Sequence, residues 1–130
     1  MIIIDTSVWI LILNGTDHPK TIRGKELLLS SEDIGIPGII LDEILRGVRN
    51  DKRFSQIKKY LLEDFEYLEM TRETFVRSAE IYRQLRRSGI TLKNPVDCLI
   101  ASVSIENNAL LLANDSDFEQ IAEVFSLTLI

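Results

Sequence analysis

The chain has 130 residues, a length that suits one domain, and 45% of them are hydrophobic, as in ordinary folded proteins. A net charge of −5 argues weakly against an unspecific nucleic-acid-binding protein, and Cys98 is the only cysteine, which excludes an intramolecular disulfide. Because no apolar run reaches the roughly 20 residues of a membrane span and no signal peptide opens the sequence, we expect a cytoplasmic protein without membrane contact, folded as one domain over residues 1–130.

The first half of the chain alternates short apolar runs with amphipathic segments. The run MIIID is typical of a strand at 2–5 that is buried on both faces, and Asp5, Thr6 and Ser7 offer caps for a helix ending at Leu13. Further along, the pattern predicts a helix at 21–30, a strand at 34–36 and helices at 39–48 and 52–63.

The second half continues the alternation. A strand at 67–70 precedes a long helix at 72–88, for which Thr71 is a simple N-cap. A capping box is not expected, since Thr74 stands where Glu or Gln would be needed. The residues expected on the apolar side of this helix are Phe75, Ala79, Tyr82 and Leu85.

The C-terminal part begins with Asn94-Pro95, a favourable helix start with Asn94 as the cap and Pro95 in the first turn. The predicted elements that follow are a helix to about Asn107, a strand at 110–113, a helix at 117–124 and a strand at 127–130. Strands that alternate with helices predict an α/β sandwich whose central sheet is largely parallel.

Four acidic residues stand at positions where packing would favour other side chains. Asp5 and Asp115 each end a buried strand, and in a parallel sheet the ligand site lies outside the carboxyl ends of strands. Glu43 lies among apolar residues of the helix 39–48, and Asp97 lies in the first turn of an apolar helix. If the strands of Asp5 and Asp115 are neighbours, their carboxylates project from the same edge.

Each acid also has an ordinary structural explanation, as a helix cap, a partner of the helix dipole or a solvated side chain. Together they are harder to explain in this way. At about 4 Å and an effective dielectric constant near 20, each pair of like charges costs on the order of 4 kcal/mol. Protons or a divalent cation must offset that cost, and carboxylates without His or Cys favour Mg²⁺ or Mn²⁺.

Other chemistries have little support. His18 is the only histidine and stands in a polar loop, where we expect it to be exposed, so a Ser or Cys nucleophile lacks a well-placed base. Cys98 is interpreted as a buried core thiol, and no phosphate-binding glycine loop is present. Water activated by a metal ion, as in phosphodiester hydrolysis, fits the remaining residues.

The basic residues supply a candidate substrate surface. Of the 15 Lys and Arg residues, 12 lie within 44–95, whereas 96–130 has none. They are equally explained as solvated helix faces, but beside an acidic metal centre they become candidate phosphate contacts. The candidates for RNA binding are Arg46, Arg49, Arg86, Arg87 and Lys93.

Four motifs together give the chain a resemblance to PIN-domain ribonucleases, and among them to the VapC toxins of VapBC toxin–antitoxin pairs. They are DTSVWI (5–10), IILDEILRGVR (39–49), PVDCLIASVS (95–104) and LLLANDSDF (110–118). The resemblance covers nearly the whole chain and implies a PIN-like three-layer α/β sandwich. It also implies a metal-dependent endoribonuclease, active as a homodimer and inhibited by a VapB-type antitoxin.

The resemblance further implies that Asp5, Glu43, Asp97 and Asp115 are the acidic quartet that binds Mg²⁺ or Mn²⁺ and catalyses hydrolysis. Asp117 matches an auxiliary acid, and Thr6, Ser7 and Asn114 match supporting polar residues. Ala113 departs from the Thr or Ser that the family often has two residues before the last acid of the quartet. Two alternatives remain: a catalytically silent PIN-type domain that binds a metal or a partner, and a housekeeping RNA-processing nuclease.

Overall fold

The computed structural model describes residues 1–130 as five strands and seven helices. In chain order they are β1 (Ile2–Ile4), α1 (Thr6–Leu13), α2 (Pro19–Leu28), β2 (Ile34–Pro37), α3 (Gly38–Arg46), α4 (Asp51–Glu63), β3 (Glu66–Leu68), α5 (Arg72–Arg87), α6 (Val96–Glu106), β4 (Leu110–Leu112), α7 (Ser116–Val124) and β5 (Thr128–Leu129). Every predicted element is present, with its ends within two residues of the prediction. None of the helices has the length and apolar character that crossing a membrane requires.

The strands form one sheet in the order β3-β2-β1-β4-β5, and every neighbouring pair is parallel. The chain winds outward from β1 through β2 to β3, then returns past β1 to β4 and β5. Ile2 of β1 pairs with Ile34 on one side and with Leu110 on the other. The direction of winding therefore reverses between β1 and β4, which is where ligands bind in open parallel sheets.

The helices divide into two groups at the same point. Since parallel crossovers are right-handed, the outward winding places α1–α4 on one face of the sheet and the return places α5–α7 on the other. Packing follows this division, because α1 contacts α2 and α3, while α6 contacts α5 and α7. These are the three layers of the predicted sandwich.

The apolar core explains the short strands. β1 is buried along its whole length, as expected for a central strand covered on both faces, and Ile3 is fully inaccessible. One contiguous cluster of 26 buried apolar residues includes strand residues and the inner faces of the helices. This rigid centre holds the carboxyl ends of β1 and β4 beside each other.

The inner face of α5 differs from the prediction. Thr74, Ser78, Ile81 and Leu85 are buried, whereas Phe75 is 52% exposed and faces outward. Thr74 can face inward because α6 supplies its partners: its hydroxyl donates to Glu106 Oε2 at 2.8 Å, and Ser102 Oγ donates to its carbonyl at 2.8 Å. Apolar character alone therefore identified only part of the buried face, since Leu85 is buried as predicted whereas Phe75 is not.

Two helix starts also differ from expectation. The N–H of Thr71 donates to Thr74 Oγ1 at 2.9 Å, so a hydroxyl takes the position of the Glu or Gln of a capping box. His18 is half-buried rather than exposed, because its Nδ1 accepts the N–H of Lys20 at 3.0 Å and caps α2. Asn94 accepts the N–H of Val96 through Oδ1 at 3.1 Å, as a cap does, but α6 begins at Val96 and Pro95 stands just before it rather than in its first turn.

Candidate active site

Two of the predicted acids come together at the reversal point of the sheet. Asp5 follows β1 and Asp115 follows β4 by three residues, and the N–H of Asp5 donates to the carbonyl of Leu112 at 2.9 Å. Each aspartate is also the N-cap of the next helix, α1 or α7. An aspartate can cap a helix and also belong to the site, because the cap uses one carboxylate oxygen and leaves the other available.

Ser7 holds the carboxylate of Asp5. Both its N–H, at 2.9 Å, and its hydroxyl donate to Asp5 Oδ2. The hydroxyl in turn accepts the N–H of Asn114 at 2.9 Å. Ser7 thus connects the ends of β1 and β4, and Asn114 contributes through its backbone rather than through its amide side chain.

Thr6 supports a different acid. Its Oγ1 donates to Glu43 Oε1 at 3.2 Å, which ties α3 to the start of α1. Glu43 is half-buried, and its pKa is raised by burial and by the negative charge of Asp5. Adjacent hydroxyls at positions 6 and 7 therefore hold two different carboxylates, because successive helical residues point about 100° apart.

Asp97 and Asp117 are both buried, and each has a carboxylate oxygen without a partner. Asp117 is completely buried, and its Oδ2 accepts the N–H groups of Lys93 at 2.9 Å and Asn94 at 3.1 Å. Asp97 is 6% exposed in the first turn of α6. One buried oxygen of each, Oδ2 of Asp97 and Oδ1 of Asp117, has no hydrogen-bond partner.

Asp97, Asp115 and Asp117 form the tightest cluster, with one carboxylate oxygen from each lying within 4.8 Å of the others. Asp117 was expected only as an auxiliary residue, yet it belongs to this cluster, whereas Asp5 and Glu43 do not. Asp5 lies close enough for its charge to act on Asp97, and Glu43 lies next to Asp5. The acids therefore follow one another as a continuous acidic row, from Asp117 and Asp97 through Asp115 and Asp5 to Glu43.

Without a cation, the carboxylates of this row repel one another. Burial, followed by the charges of Asp115, Asp5 and Asp117, raises the pKa of Asp97 from 3.8 to about 8. Burial also raises the pKa of Asp5, although the hydrogen bonds from Ser7 oppose this. Closely spaced carboxylates resist simultaneous ionisation unless a cation joins them.

Lys93 is the one predicted basic residue that contacts the cluster. Its Nζ lies 3.2 Å from Asp115 Oδ1, and this contact raises the pKa of the ammonium group. Two other candidates are engaged elsewhere: Arg46 pairs with Asp42 at 3.2 Å, and the guanidinium of Arg86 lies 5.9 Å from the centre of the Tyr82 ring. Arg87 is exposed at the end of α5.

A groove runs from Glu43 between α1, α3 and α4. Its floor is apolar, with Ile10, Ile44 and Val48, and Arg49 lies on its wall. Arg53, one of the basic residues within 44–95 but not among the predicted RNA contacts, also lines the groove, and its guanidinium donates to the carbonyl of Leu13. No motif marked Arg53, because its place depends on how α4 packs against α1.

Cys98 is the buried thiol that the sequence predicted. Burial and the nearby charges of Asp97 and Asp117 raise its pKa to about 11. A thiol with such a pKa is a poor nucleophile at neutral pH.

Comparison with known proteins agrees with this fold. The family model described as PIN domain matches residues 2–124. VapC ribonuclease Mb1587 of Mycobacterium bovis is 33% identical over 98% of this chain and 96% of its own, and ribonuclease VapC1 of Methanocaldococcus jannaschii is 30% identical over 94% and 82%. The crystal structure of VapBC2 from Rickettsia felis, bound to a promoter DNA fragment, superposes with a TM-score of 0.77 at 23% identity, covering 100% of this chain and 98% of the other. The chain belongs to the PIN-domain family, among its VapC-type ribonucleases.

Proposed function

We propose that this protein is a Mg²⁺- or Mn²⁺-dependent endoribonuclease that hydrolyses RNA phosphodiester bonds as the toxin of a toxin–antitoxin pair. The observation that carries the proposal is the pair of buried, unpartnered oxygens of Asp97 and Asp117 within the acidic row. The relatedness to VapC ribonucleases supports it. A cytoplasmic location, with access to RNA and antitoxin, belongs to the same proposal.

The residues fit a hard divalent cation. Every nearby donor is a carboxylate oxygen, and three of them can approach a common point because their spread is 4.8 Å. A buried polar atom without a partner is costly, and a cation would satisfy both orphaned oxygens at once. A cation would also remove the repulsion that raises the pKa of Asp97.

When bound, such a cation supplies an activated water and stabilises negative charge on the phosphodiester. We assign the metal-binding role to Asp97, Asp115 and Asp117, joined by Asp5. Asp5 is oriented by Ser7, as a metal-site carboxylate requires. Glu43 is half-buried at the end of the groove, where its carboxylate can meet both solvent and substrate.

The same geometry suggests where RNA lies. Arg49 lines the groove that leads to Glu43, and Lys93 lies at the opposite end of the acidic row, so a strand crossing the row would meet a cation on each side. Arg46 can join them after leaving Asp42, because that exposed pair is weak. Arg86 and Arg87 would contact only more distant phosphates.

The apolar groove is the proposed site for a VapB-type antitoxin. Ile10 in its floor is 49% exposed, and an amphipathic segment of a partner could cover it. A basic side chain of that partner could reach Glu43 and so occupy the entrance to the acidic row. Binding of antitoxin and RNA would then be mutually exclusive.

The outer face of α5 is the proposed homodimer interface. Phe75 and Val76 are each 52% exposed, and Phe75 adjoins Leu99 of α6 and Tyr67 of β3 in a continuous apolar surface. Self-association of one patch about a two-fold axis would bury it without any other partner.

Cleavage of a structured RNA mixture tests the nuclease proposal. We expect cutting with Mg²⁺ or Mn²⁺, none with chelator, and at least about a hundredfold loss in Asp97→Asn because a metal-binding carboxylate is neutralised. Asp17→Asn, a change to an exposed aspartate in the loop between α1 and α2, is the matched control and should cut normally. Circular dichroism would verify that both variants fold.

Other outcomes would favour other functions. Equal cutting by wild type and Asp97→Asn would place the activity outside this site. Metal binding without cutting of any RNA would favour the catalytically silent PIN-type domain. Cutting without growth arrest on expression, and without an antitoxin gene beside it, would favour a housekeeping nuclease.

A further inference from the structure

Lys93 occupies an unusual position at the border of the acidic row. Its ammonium nitrogen lies 3.2 Å from Asp115 Oδ1, and its side chain remains 67% exposed. The same oxygen of Asp115 also accepts the N–H of Asp117 at 3.0 Å. Asp115 Oδ1 therefore already holds two donors in the metal-free chain.

The backbone of Lys93 explains why the ammonium reaches this point. Its N–H donates to Asp117 Oδ2 at 2.9 Å, and the next N–H, from Asn94, donates to the same oxygen at 3.1 Å. Asp117 is fully buried, so this double contact fixes the segment before α6. The backbone of Lys93 is therefore held in place, and its side chain reaches the carboxylate of Asp115.

The charges around this ammonium come almost entirely from the candidate metal ligands. Asp115 acts on it most strongly, and Asp117 and Asp97 act in the same direction. No Lys or Arg follows Lys93 in the sequence, so α6 and α7 bring no other positive charge to these acids. Lys93 is thus the local countercharge of the cluster.

We propose that Lys93 is a resident cation that competes with the divalent metal ion for Asp115. In the metal-free chain its ammonium partly neutralises the carboxylate of Asp115. The proposal rests on the proposed metal-dependent function and adds one condition to it: a metal ion held by Asp115 must weaken or displace the contact of Lys93 with the same carboxylate. Removing the ammonium should therefore tighten metal binding.

Calorimetric titration of the purified protein with Mn²⁺ alone tests this competition. We expect Lys93→Met to bind Mn²⁺ about three- to fivefold more tightly, a modest gain because the displaced pair is exposed. Lys58→Met is the control with the same change in net charge, since Lys58 is exposed on α4 and forms none of the ion pairs of the chain. Its affinity should equal that of the wild type.

A double-mutant cycle separates occupancy of Asp115 from a general field effect. In an Asp115→Asn background, Lys93→Met should no longer tighten Mn²⁺ binding, because the carboxylate that Lys93 and the metal ion share has lost its charge. An equal gain in both backgrounds, an equal gain in Lys58→Met, or no gain at all would overturn the competition while leaving the nuclease proposal intact. If the wild type binds no Mn²⁺, the metal-dependent function fails and the competition fails with it.

Discussion

Ser7 contacts more of the candidate site than its position in the sequence suggests. Its N–H and its hydroxyl both donate to Asp5, and its hydroxyl oxygen accepts the N–H of Asn114, which follows the neighbouring strand β4. The sequence predicted a supporting role for Thr6, Ser7 and Asn114 without assigning an acid to each. Those assignments depend on the rotation of α1, which a capping pattern does not specify.

Replacing Ser7 with Ala tests this support. We expect a loss of cleavage of about ten- to a hundredfold, because Asp5, a proposed metal ligand, loses the hydroxyl that orients its carboxylate. Initial rates at saturating Mn²⁺ would measure it. Ser55→Ala, at an exposed position of α4, should change nothing, and an unaltered rate in Ser7→Ala would contradict the role.

Asp97 predicts an unusual pH dependence of stability. Its pKa is about 8 in the folded chain against an ordinary value of 3.8, so between these values the folded state holds a proton that the unfolded state has lost. The free energy of unfolding of the metal-free protein should therefore fall as the pH rises through this window, on the order of a few kcal/mol.

Urea unfolding in chelator at about pH 5 and about pH 9 measures this effect. In Asp97→Asn the fall should be much smaller, and this variant should be the more stable protein at the higher pH. If the free energy of unfolding fell equally with pH in both proteins, Asp97 would not be the source of the pH dependence. Added Mn²⁺ should restore the wild type at high pH but have less effect on the variant.

At the scale of elements, α5 and α6 show what a helical pattern can predict and what it cannot. The sequence predicted both helices and most of their ends, because caps and apolar spacing are local features. It predicted only part of the buried face of α5: Leu85 is buried as expected, but the burial of Thr74 depends on contacts with a separate helix. Thr74 Oγ1, for example, donates to Glu106 Oε2 at 2.8 Å, and Glu106 also binds Arg77.

Thr74→Val should therefore destabilise the fold. The substitution keeps the volume but removes the partner of Glu106 and of the Thr71 N–H, so we expect a loss of about 1–3 kcal/mol in the free energy of unfolding. Urea unfolding at neutral pH with saturating Mn²⁺ is the measurement. Thr16→Val, in an exposed loop, should be nearly neutral, and an equally small change in Thr74→Val would mean that this network contributes little.

At the scale of the whole molecule, the strand order brings the acids together. Alternating strands and helices predicted a parallel α/β fold, and the position of Asp5 and Asp115 at strand ends predicted the correct edge of the sheet. The prediction held only if β1 and β4 were neighbours. The sequence could not show this, because strand order depends on contacts between residues far apart in the chain. The depth of Asp117 was missed for the same reason, because its backbone donors lie 23 and 24 residues away.

The dimer proposal gives a prediction about association. Phe75→Glu should weaken self-association at least about tenfold, since a charge would be placed in the proposed apolar interface. Sedimentation equilibrium over a range of concentrations would measure it. Leu29→Glu is the control, because Leu29, directly after α2, is 89% exposed and lies outside that surface. Equal dissociation constants for the two variants would exclude the α5 face.

The contiguous core predicts one cooperative unfolding transition for residues 1–130. Trp9 is the only tryptophan and is buried against Phe65, so its fluorescence reports on the α1 side of the sheet. Far-ultraviolet circular dichroism reports on all helices. With Mn²⁺ present the two curves should coincide, whereas separate midpoints would indicate two independently folding parts.

The buried state of Cys98 has a practical consequence for experiments on this protein. Its thiol is inaccessible, and a pKa of about 11 leaves almost no thiolate at neutral pH, so maleimides and spin labels should leave it unmodified. The natural chain therefore serves as an unreactive background for labelling. A single cysteine introduced on the groove wall or on the outer face of α5 would accept a probe selectively, and distances to a bound partner could then be measured without first altering the core.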